Sequence, residues 1–594
     1  MSVTVKPVIY QLVVRYFGNT NTTNRIDGTL AVNGCGKFED INEAALTSLR
    51  QMGVTHIWLT GCLRQATLTD WSLIGLPPDD PDVVKGIAGS FYAVRDYFDV
   101  CPDYAREPAN RLAEFDALVQ RVHAAGMKAI IDLVPNHVAR GYRSVVRPEH
   151  SFGEGDDVTR FFDPTNHFFY LVDPPGQELR LRHPAQWQPA GVKFDGMFAS
   201  EAPPRVTGNN CTLPSPAETD WYETIKLNYG YDFVGKAGHY SPRPRTWDAV
   251  DEIIAYWQKR GVDGFRCDFA HYVPEEAWRF LIDRARGRDA DSYFIAEAYP
   301  YPDSGDPITD MQQLVDAGFD AVYHDDSYNR LKRIYQRAGS QDDYGGAIAS
   351  MSTMRRQRSV FYLENHDERR IGSPVVQNVW TGNSGFGSVQ AGYLLAPLQY
   401  LCGAGPIIVL NGQEVGELGQ GASGFSGDDG RTSLFDYWSM PAMVGWVNRH
   451  AYDGGRLTPE QQRLRAFYRD LLVLCQDPSV QAEGYWGLKY FNRPEKFSDC
   501  PGDIYSFARF ADGEGRLLMV VGNFHGSRAV TGRVRVPGEL AELVKLAGQA
   551  TIRMRLDHQG AKDRLAFSCT RDSLIGEGFE VTLLPQTAQV FVIR

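Results

Sequence analysis

Four short segments of this chain end in side chains able to do acid–base or nucleophilic chemistry: Asp132-Leu133-Val134-Pro135-Asn136-His137, Gly264-Phe265-Arg266-Cys267-Asp268, Ile295-Ala296-Glu297 and Glu364-Asn365-His366-Asp367. Residues two apart on a strand face the same way, so Arg266 and Asp268 share a face while Cys267 points to the other. A guanidinium beside Asp268 favours its ionised form. An ionised carboxylate next to a second carboxyl that keeps its proton is the pair that retaining glycoside cleavage requires, about 5 Å apart. Glu297, one strand further on, is placed to be that acid. Its working pKa should stand above the free value of ~4.3, raised by the negative fields of Asp268 and Asp367. Asp367 reaches the same mouth from the opposite side, where a carboxylate can hold ring hydroxyls and stabilise positive charge at an anomeric carbon. His137 and His366 can donate to hydroxyls there. Any one of these residues alone more often serves the fold; four such ends, in order, make a site.

The elements that must position them are short β-rich runs alternating with amphipathic stretches from Val8 to about Pro478. Candidate strands are Val8 to Tyr16, His56 to Thr60, Lys128 to Val134, Gly264 to Phe269, Tyr293 to Glu297, Ala321 to His324, Val360 to Glu364 and Pro406 to Asn411. Between them, Arg111 to Ala125 carries Leu112, Phe115, Leu118, Val119 and Val122 at helical spacing, and Trp247 to Arg260 reads as another helix. Eight strand–helix units make an α/β fold, a (β/α)8 barrel, in which catalytic groups sit at the carboxyl ends of the strands. About a hundred residues after His137 are too many for a loop and read as a small inserted domain. After about Ser479 the pattern becomes strands and turns, as in Asp503 to Phe510, Arg516 to Phe524 and Phe579 to Val592, which suggests an antiparallel β-sandwich. The expected division is 1–137 with 240–480 as the barrel, 138–239 as the insertion and 481–594 as the sandwich.

Composition narrows the ligand. Lys and Arg total 61 against 73 Asp and Glu, a net charge of -12, so there is no basic surplus to bind nucleic acid. Aromatic residues at 12% suit a neutral ligand that stacks on rings, such as a sugar, though core packing would give the same figure. Nine cysteines show no C-x-x-C pair, and an odd count cannot all pair within the chain, which points to a reducing compartment. Met1 to Leu12 lacks a basic segment followed by an apolar run, and Leu394 to Leu410 is broken by Pro397, Gln399 and Pro406, so neither is read as a signal peptide or a membrane span and a cytoplasmic protein is expected. Gly419 to Gly424 fits G-x-G-x-x-G without the βαβ setting a dinucleotide needs. His324-Asp325-Asp326 reads as solvated groups rather than a metal site. Trp221, Tyr222, Tyr229 and Tyr231 read equally as a sugar platform or as the packing of the inserted domain.

These segments resemble the ordered signature regions of the alpha-amylase family, glycoside hydrolase family 13. Asp132, Asn136 and His137 match its first region, Arg266 and Asp268 its second, Glu297 its third, and Asn365, His366 and Asp367 its fourth. Gly53 to Gly61 looks like its second-strand motif, Gly405-Pro406 through Gly412-Gln413-Glu414 like its eighth, and Tyr92 with Asp96 and Tyr97 is similar to its Gly-Tyr-x-x-x-Asp-Tyr element. The resemblance implies a nucleophile, Asp268, a general acid/base, Glu297, a transition-state stabiliser, Asp367, and a tyrosine stacked on the cleaved unit, Tyr92. It implies cleavage of α-1,4-glucans or malto-oligosaccharides by hydrolysis, with transfer to a second sugar as the alternative and a non-catalytic sugar-binding relative as a further one. No cofactor is needed for that chemistry. A structural calcium ion is implied through Asn136, with Asp156 and Asp157 nearby in the insertion. Departures fall on substrate choice: His271 and Tyr272 stand where many amylases carry a Lys-His pair, Lys226 to Gly230 matches no subgroup, and Gly61 replaces a common proline.

Overall fold

Runs such as Val8-Ile9-Tyr10 are apolar on both faces because both faces are covered, the mark of parallel strands inside a ring of helices. The computed structural model describes residues 6–185, 187–299, 305–335, 339–373, 386–419, 424–560 and 566–594. Among the described residues eight parallel strands form one sheet: β1 (Val8–Val13), β2 (His56–Thr60), β3 (Lys128–Leu133), β4 (Gly264–Cys267), β5 (Tyr293–Ala296), β6 (Ala321–Tyr323), β7 (Ser359–Val360) and β8 (Ile407–Leu410). Neighbours run β7-β6-β5-β4-β3-β2-β1-β8. A parallel bridge between Phe361 and Ile407 joins the two ends and closes the barrel.

The helices that follow β1 to β8 are α1 (Glu43–Gln51), α2 (Arg111–Ala124), α3 (Arg245–Lys259), α4 (Glu275–Arg288), α5 (Met311–Asp316), α6 (Asp325–Tyr335), α7 (Ala391–Tyr400) and α8 (Pro459–Leu474). In α2, Phe115, Leu118, Val119 and Val122 turn inward at helical spacing, with Leu112 half-buried beside them. β1 stops at Val13, short of Tyr16, because Tyr16 N–H already bonds back to Val13 O in a turn. The expected strand to Glu364 is only two residues of regular strand, so the segment leading to Asp367 is set by turns and side-chain bonds.

Between β3 and α3 the chain is mostly irregular. His137–Ala139 pairs antiparallel with Thr224–Lys226, and Phe169, Leu171 and Val206 form a small core of their own. Past α8 come β9 (Gly484–Gly487), β10 (Ile504–Phe510), β11 (Leu517–Asn523), β12 (Val530–Val534), β13 (Gln549–Leu556), β14 (Ala566–Thr570), β15 (Phe579–Leu583) and β16 (Ala588–Ile593). Six of them make an antiparallel sheet in the order β9-β10-β11-β16-β13-β14, faced by the pair β12-β15. Short helices at Gly538–Leu543 and Arg571–Gly576 connect strands there. No helix among the described residues is long and apolar enough to cross a membrane.

Candidate active site

Barrel register sets the height of the two central carboxylates. Arg266 on β4 lies opposite Asp132 on β3 and Ile295 on β5. The ladder continues one step past the strands: Asp268 N–H donates to Leu133 O at 2.9 Å, and Glu297 N–H to Cys267 O at 3.0 Å. Asp268 and Glu297 are therefore held at matching positions on adjacent strands. The guanidinium of Arg266, fully buried, spans them, with Nη1 2.7 Å from Asp268 Oδ1 and Nη2 2.7 Å from Glu297 Oε1. Rings of Trp58, Tyr92 and Tyr323 surround it at 5.2, 5.3 and 5.8 Å. Asp268 Oδ2 has no hydrogen-bond partner among the described residues, although it is buried.

Burial raises Glu297 to about 8, against the pull of Arg266 and with the fields of Asp268 and Asp367 adding to it. The direction matches the sequence reading, but burial, not the neighbouring charges, is the larger cause. Burial also raises Asp268, to about 6, with Arg266 opposing. Asp367 behaves differently, although 42% of its side chain is exposed. Burial still pushes its carboxyl upward, but His366, 3.0 Å away, pulls it down further and leaves it below the usual carboxylate range. Asn365 Oδ1 accepts from the backbone N–H of Asp367 and of Glu368, each at 2.9 Å, and this small turn aims Asp367.

Tyr92 lies nearly parallel to His366, ring centres 5.1 Å apart, with its hydroxyl 2.7 Å from Nε2; Gln11 meets the other ring nitrogen at 2.8 Å. Gly61 N–H donates to Asp132 Oδ2 at 2.9 Å. A proline there could not make that bond, and a Cβ would stand 2.5 Å from the Phe91 ring, so the departure at Gly61 has a local cause.

Tyr92, His137, Asp268, Glu297 and Asp367 line one cavity of about 380 Å³. Arg266 and His366 stand behind these residues as their partners. His271 and Tyr272 are not among its lining. Four rings not assigned to it from sequence, or assigned only as one of two readings, do line it: Trp221, Phe269, Tyr299 and Phe435. Tyr222 and Tyr229 are buried in packing instead, and Tyr231 reaches Gly305 O. Lys85, Glu223, Glu368 and Arg431 also line the cavity. Lys85 and Glu223 pair at 2.9 Å, and Arg431 pairs with Asp429 at 2.6 Å. Only their joint position in space marks them; no periodicity or motif does. His324-Asp325-Asp326 caps and opens α6, with His324 Nδ1 near Ser327 Oγ and Asp326 paired to Arg330. Much of the G-x-G-x-x-G run lies outside the described residues.

The oxygens proposed for calcium are otherwise engaged. Asn136 Oδ1 accepts from the ammonium of Lys226 at 2.9 Å and its Nδ2 donates to Gly208 O. Asp156 accepts from His167 and Phe168 N–H and from Tyr170, and pairs with Arg245. Asp157 binds the turn at Thr159. Calcium needs six to eight oxygens; this set, with Lys226 on Asn136 Oδ1 and Arg245 on Asp156, does not fit one. No cluster of three or more His, Cys, Asp or Glu able to hold a metal occurs among the described residues.

Comparison with known proteins bears on the family and on the fold. The family model "Alpha amylase, catalytic domain" matches residues 11–436. The chain is 24% identical over 367 residues to alpha-amylase MalA of Haloarcula japonica, which covers 61% of this chain and 39% of that protein. It is 31% identical over 144 residues to the cyclomaltodextrin glucanotransferase of Geobacillus stearothermophilus, 22% of this chain and 19% of that one. The chain thus spans well under half the length of these two relatives. The ligand-free cyclic alpha-maltosyl-(1→6)-maltose hydrolase of Arthrobacter globiformis shares the fold, with a TM-score of 0.60 at 16% identity over 99% of this chain and 98% of that one. With most of its length matched by a single catalytic-domain model, the chain belongs to the alpha-amylase family of glycoside hydrolases.

Proposed function

We propose that this protein hydrolyses α-1,4-glucans or malto-oligosaccharides with retention of configuration. The observation that carries the proposal is the Arg266 fork, which holds Asp268 and Glu297 side by side while leaving Asp268 Oδ2 unbonded at the cavity. A buried carboxylate oxygen without a partner is costly unless it has work to do. In the first step that oxygen attacks the anomeric carbon, Glu297 gives its proton to the glycosidic oxygen, and the bond to the leaving sugar breaks. In the second, Glu297 takes a proton from water, water attacks the same carbon, and Asp268 leaves. Asp367 stabilises the positive charge that builds on the ring, and Tyr92 stacks on the unit being cleaved. No step needs a cofactor. Nine free cysteines suit a reducing, cytoplasmic setting.

A second reading is transfer, in which another sugar replaces water. Trp221, Phe269 and Tyr299 favour it, since half-exposed rings beside Glu297 offer an acceptor a face to stack on. Maltoheptaose digestion with and without added maltose, followed by proton NMR of the earliest product, tests both. Fresh α-anomer is expected, because two displacements at one carbon restore its configuration. Initial β-anomer would reject the mechanism, and elongated products on adding maltose would favour transfer.

A further inference from the structure

Lys226 is buried along its whole side chain, a position that opposes its charge unless nearby groups favour it. Its strand lies opposite His137. Backbone bonds hold that strand on both sides: Lys226 N–H donates to Val206 O at 2.9 Å and Leu227 N–H to Asn136 O at 2.8 Å. The ammonium reaches Asn136 Oδ1 at 2.9 Å. It also stands 4.9 Å from the centre of the Tyr272 ring and 5.6 Å from that of Phe233, distances at which a cation is attracted to a ring face. Burial presses the group toward the neutral amine, and the field of Asp306 opposes that pressure. Three parts of the molecule therefore meet at one positive charge: the end of β3, the turn after β4, and the inserted segment that carries Phe233.

The geometry points to Lys226 as a tethered cation standing where a bound calcium ion would otherwise join the insertion to the barrel, so that this chain assembles its active-site mouth without a divalent metal. An amino group fixed at Asn136 Oδ1 occupies that ligand in either protonation state, and in its charged form it also repels a second cation. It differs from an ion in that no chelator can remove it. Asn136 and His137 are consecutive, and His137 lines the cavity, so the clamp positions the wall on which substrate rests. Lys226 is in this sense a positioning residue, acting through its neighbours. The proposal rests on the functional reading above only for its kinetic readout.

Melting temperature and malto-oligosaccharide kinetics of the full chain test it together. Wild-type protein dialysed against EDTA should keep its Tm and KM, and millimolar calcium should raise neither the Tm nor the rate. Lys226→Met keeps length and bulk but loses the charge; it should melt several degrees lower and lose more in KM than in kcat, with no recovery in calcium. Lys226→Arg, which keeps the charge, should retain more of both. A wild-type Tm that falls on chelation and returns with calcium overturns the proposal. So does a Met variant indistinguishable from wild type, or an Arg variant as impaired as the Met one. Should the Met variant not fold, chelation and the Arg variant still decide. A wild type that melts as expected but cleaves no glucan would sink the functional reading and leave the clamp standing.

Discussion

In the proposed mechanism Glu297 holds a proton at the first step and accepts one at the second, and its surroundings set the pH at which it can do both. Burial lifts it to about 8, while Asp268, which must be ionised to attack, is lifted to about 6. The kcat/KM profile should therefore rise with pH through about 6 and fall through about 8. Glu297→Gln should lose most activity on malto-oligosaccharides and the alkaline limb with it. A glucosyl fluoride, whose leaving group needs little protonation, should still glucosylate Asp268, and azide should speed the second step; failure of both would move the acid/base role to another carboxyl. The same shift is a stability statement. A carboxyl whose folded pKa is raised contributes stability below its unfolded value and loses it as pH climbs to the folded one. Glu297→Gln, which cannot ionise, should thus melt higher than wild type at pH 9 and show a smaller difference at pH 5. Asp268→Asn should stop turnover while leaving the fold intact, since the amide keeps the shape but cannot attack; a variant with near-native activity would remove Asp268 from that role.

Between β4 and α4 the chain makes a turn that the sequence did not announce. Phe269 has φ of +43°, a left-handed conformation that an aromatic residue rarely takes. There its N–H donates to Glu297 Oε2 at 3.0 Å and its ring packs edge-on against Trp221 at 4.7 Å. Asp268 and Glu297 were legible because strand alternation and ordered motifs fix strand ends; Phe269 was not, since no period encodes a single strained residue. The same holds for Lys85 and Glu223, which come from two irregular segments far apart in sequence. Lys85 also donates to Asp220 O at 3.1 Å and lies 4.8 Å from the Tyr222 ring, so it ties the segment before β3 to the insertion across the cavity. Both side chains are almost wholly buried, at 3% and 6% exposure. Removing one partner of such a pair leaves an uncompensated charge at a cost of about 3–5 kcal/mol. Lys85→Met should lower the Tm and raise KM for malto-oligosaccharides, and the exchange Lys85→Glu with Glu223→Lys should recover part of each. A Lys85→Met protein with unchanged KM would mean that the pair braces the fold without shaping the cavity.

Across the whole molecule, the barrel and the C-terminal sheet share one apolar core, an arrangement the sequence divided at about residue 480 without predicting how the parts meet. Strand alternation explains the junction. On β11, Leu518 and Val520 join the barrel's core, while Leu517, Met519 and Val521 face the sandwich interior with Phe579 and Phe591. The barrel's contribution is α7, which is buried at every residue from Ala391 to Tyr400 because it lies between two layers. Its apolar sequence, read alone, gives no amphipathic face and so no hint of which layer covers it. The two layers lie close at Gly522, where an added Cβ would stand 2.7 Å from Leu394 Cδ1. Because the sheet covers helix surface that would otherwise meet water, the two parts should lose structure together. Calorimetry of the full chain should give one endotherm, coincident with loss of activity and of near-ultraviolet circular dichroism. Gly522→Val overpacks the junction, a change that typically costs about 1–3 kcal/mol, and it should move that single endotherm down as a unit. Two separated transitions, with Gly522→Val shifting only one of them, would show that the sheet is an appendage and that the barrel's stability does not depend on it.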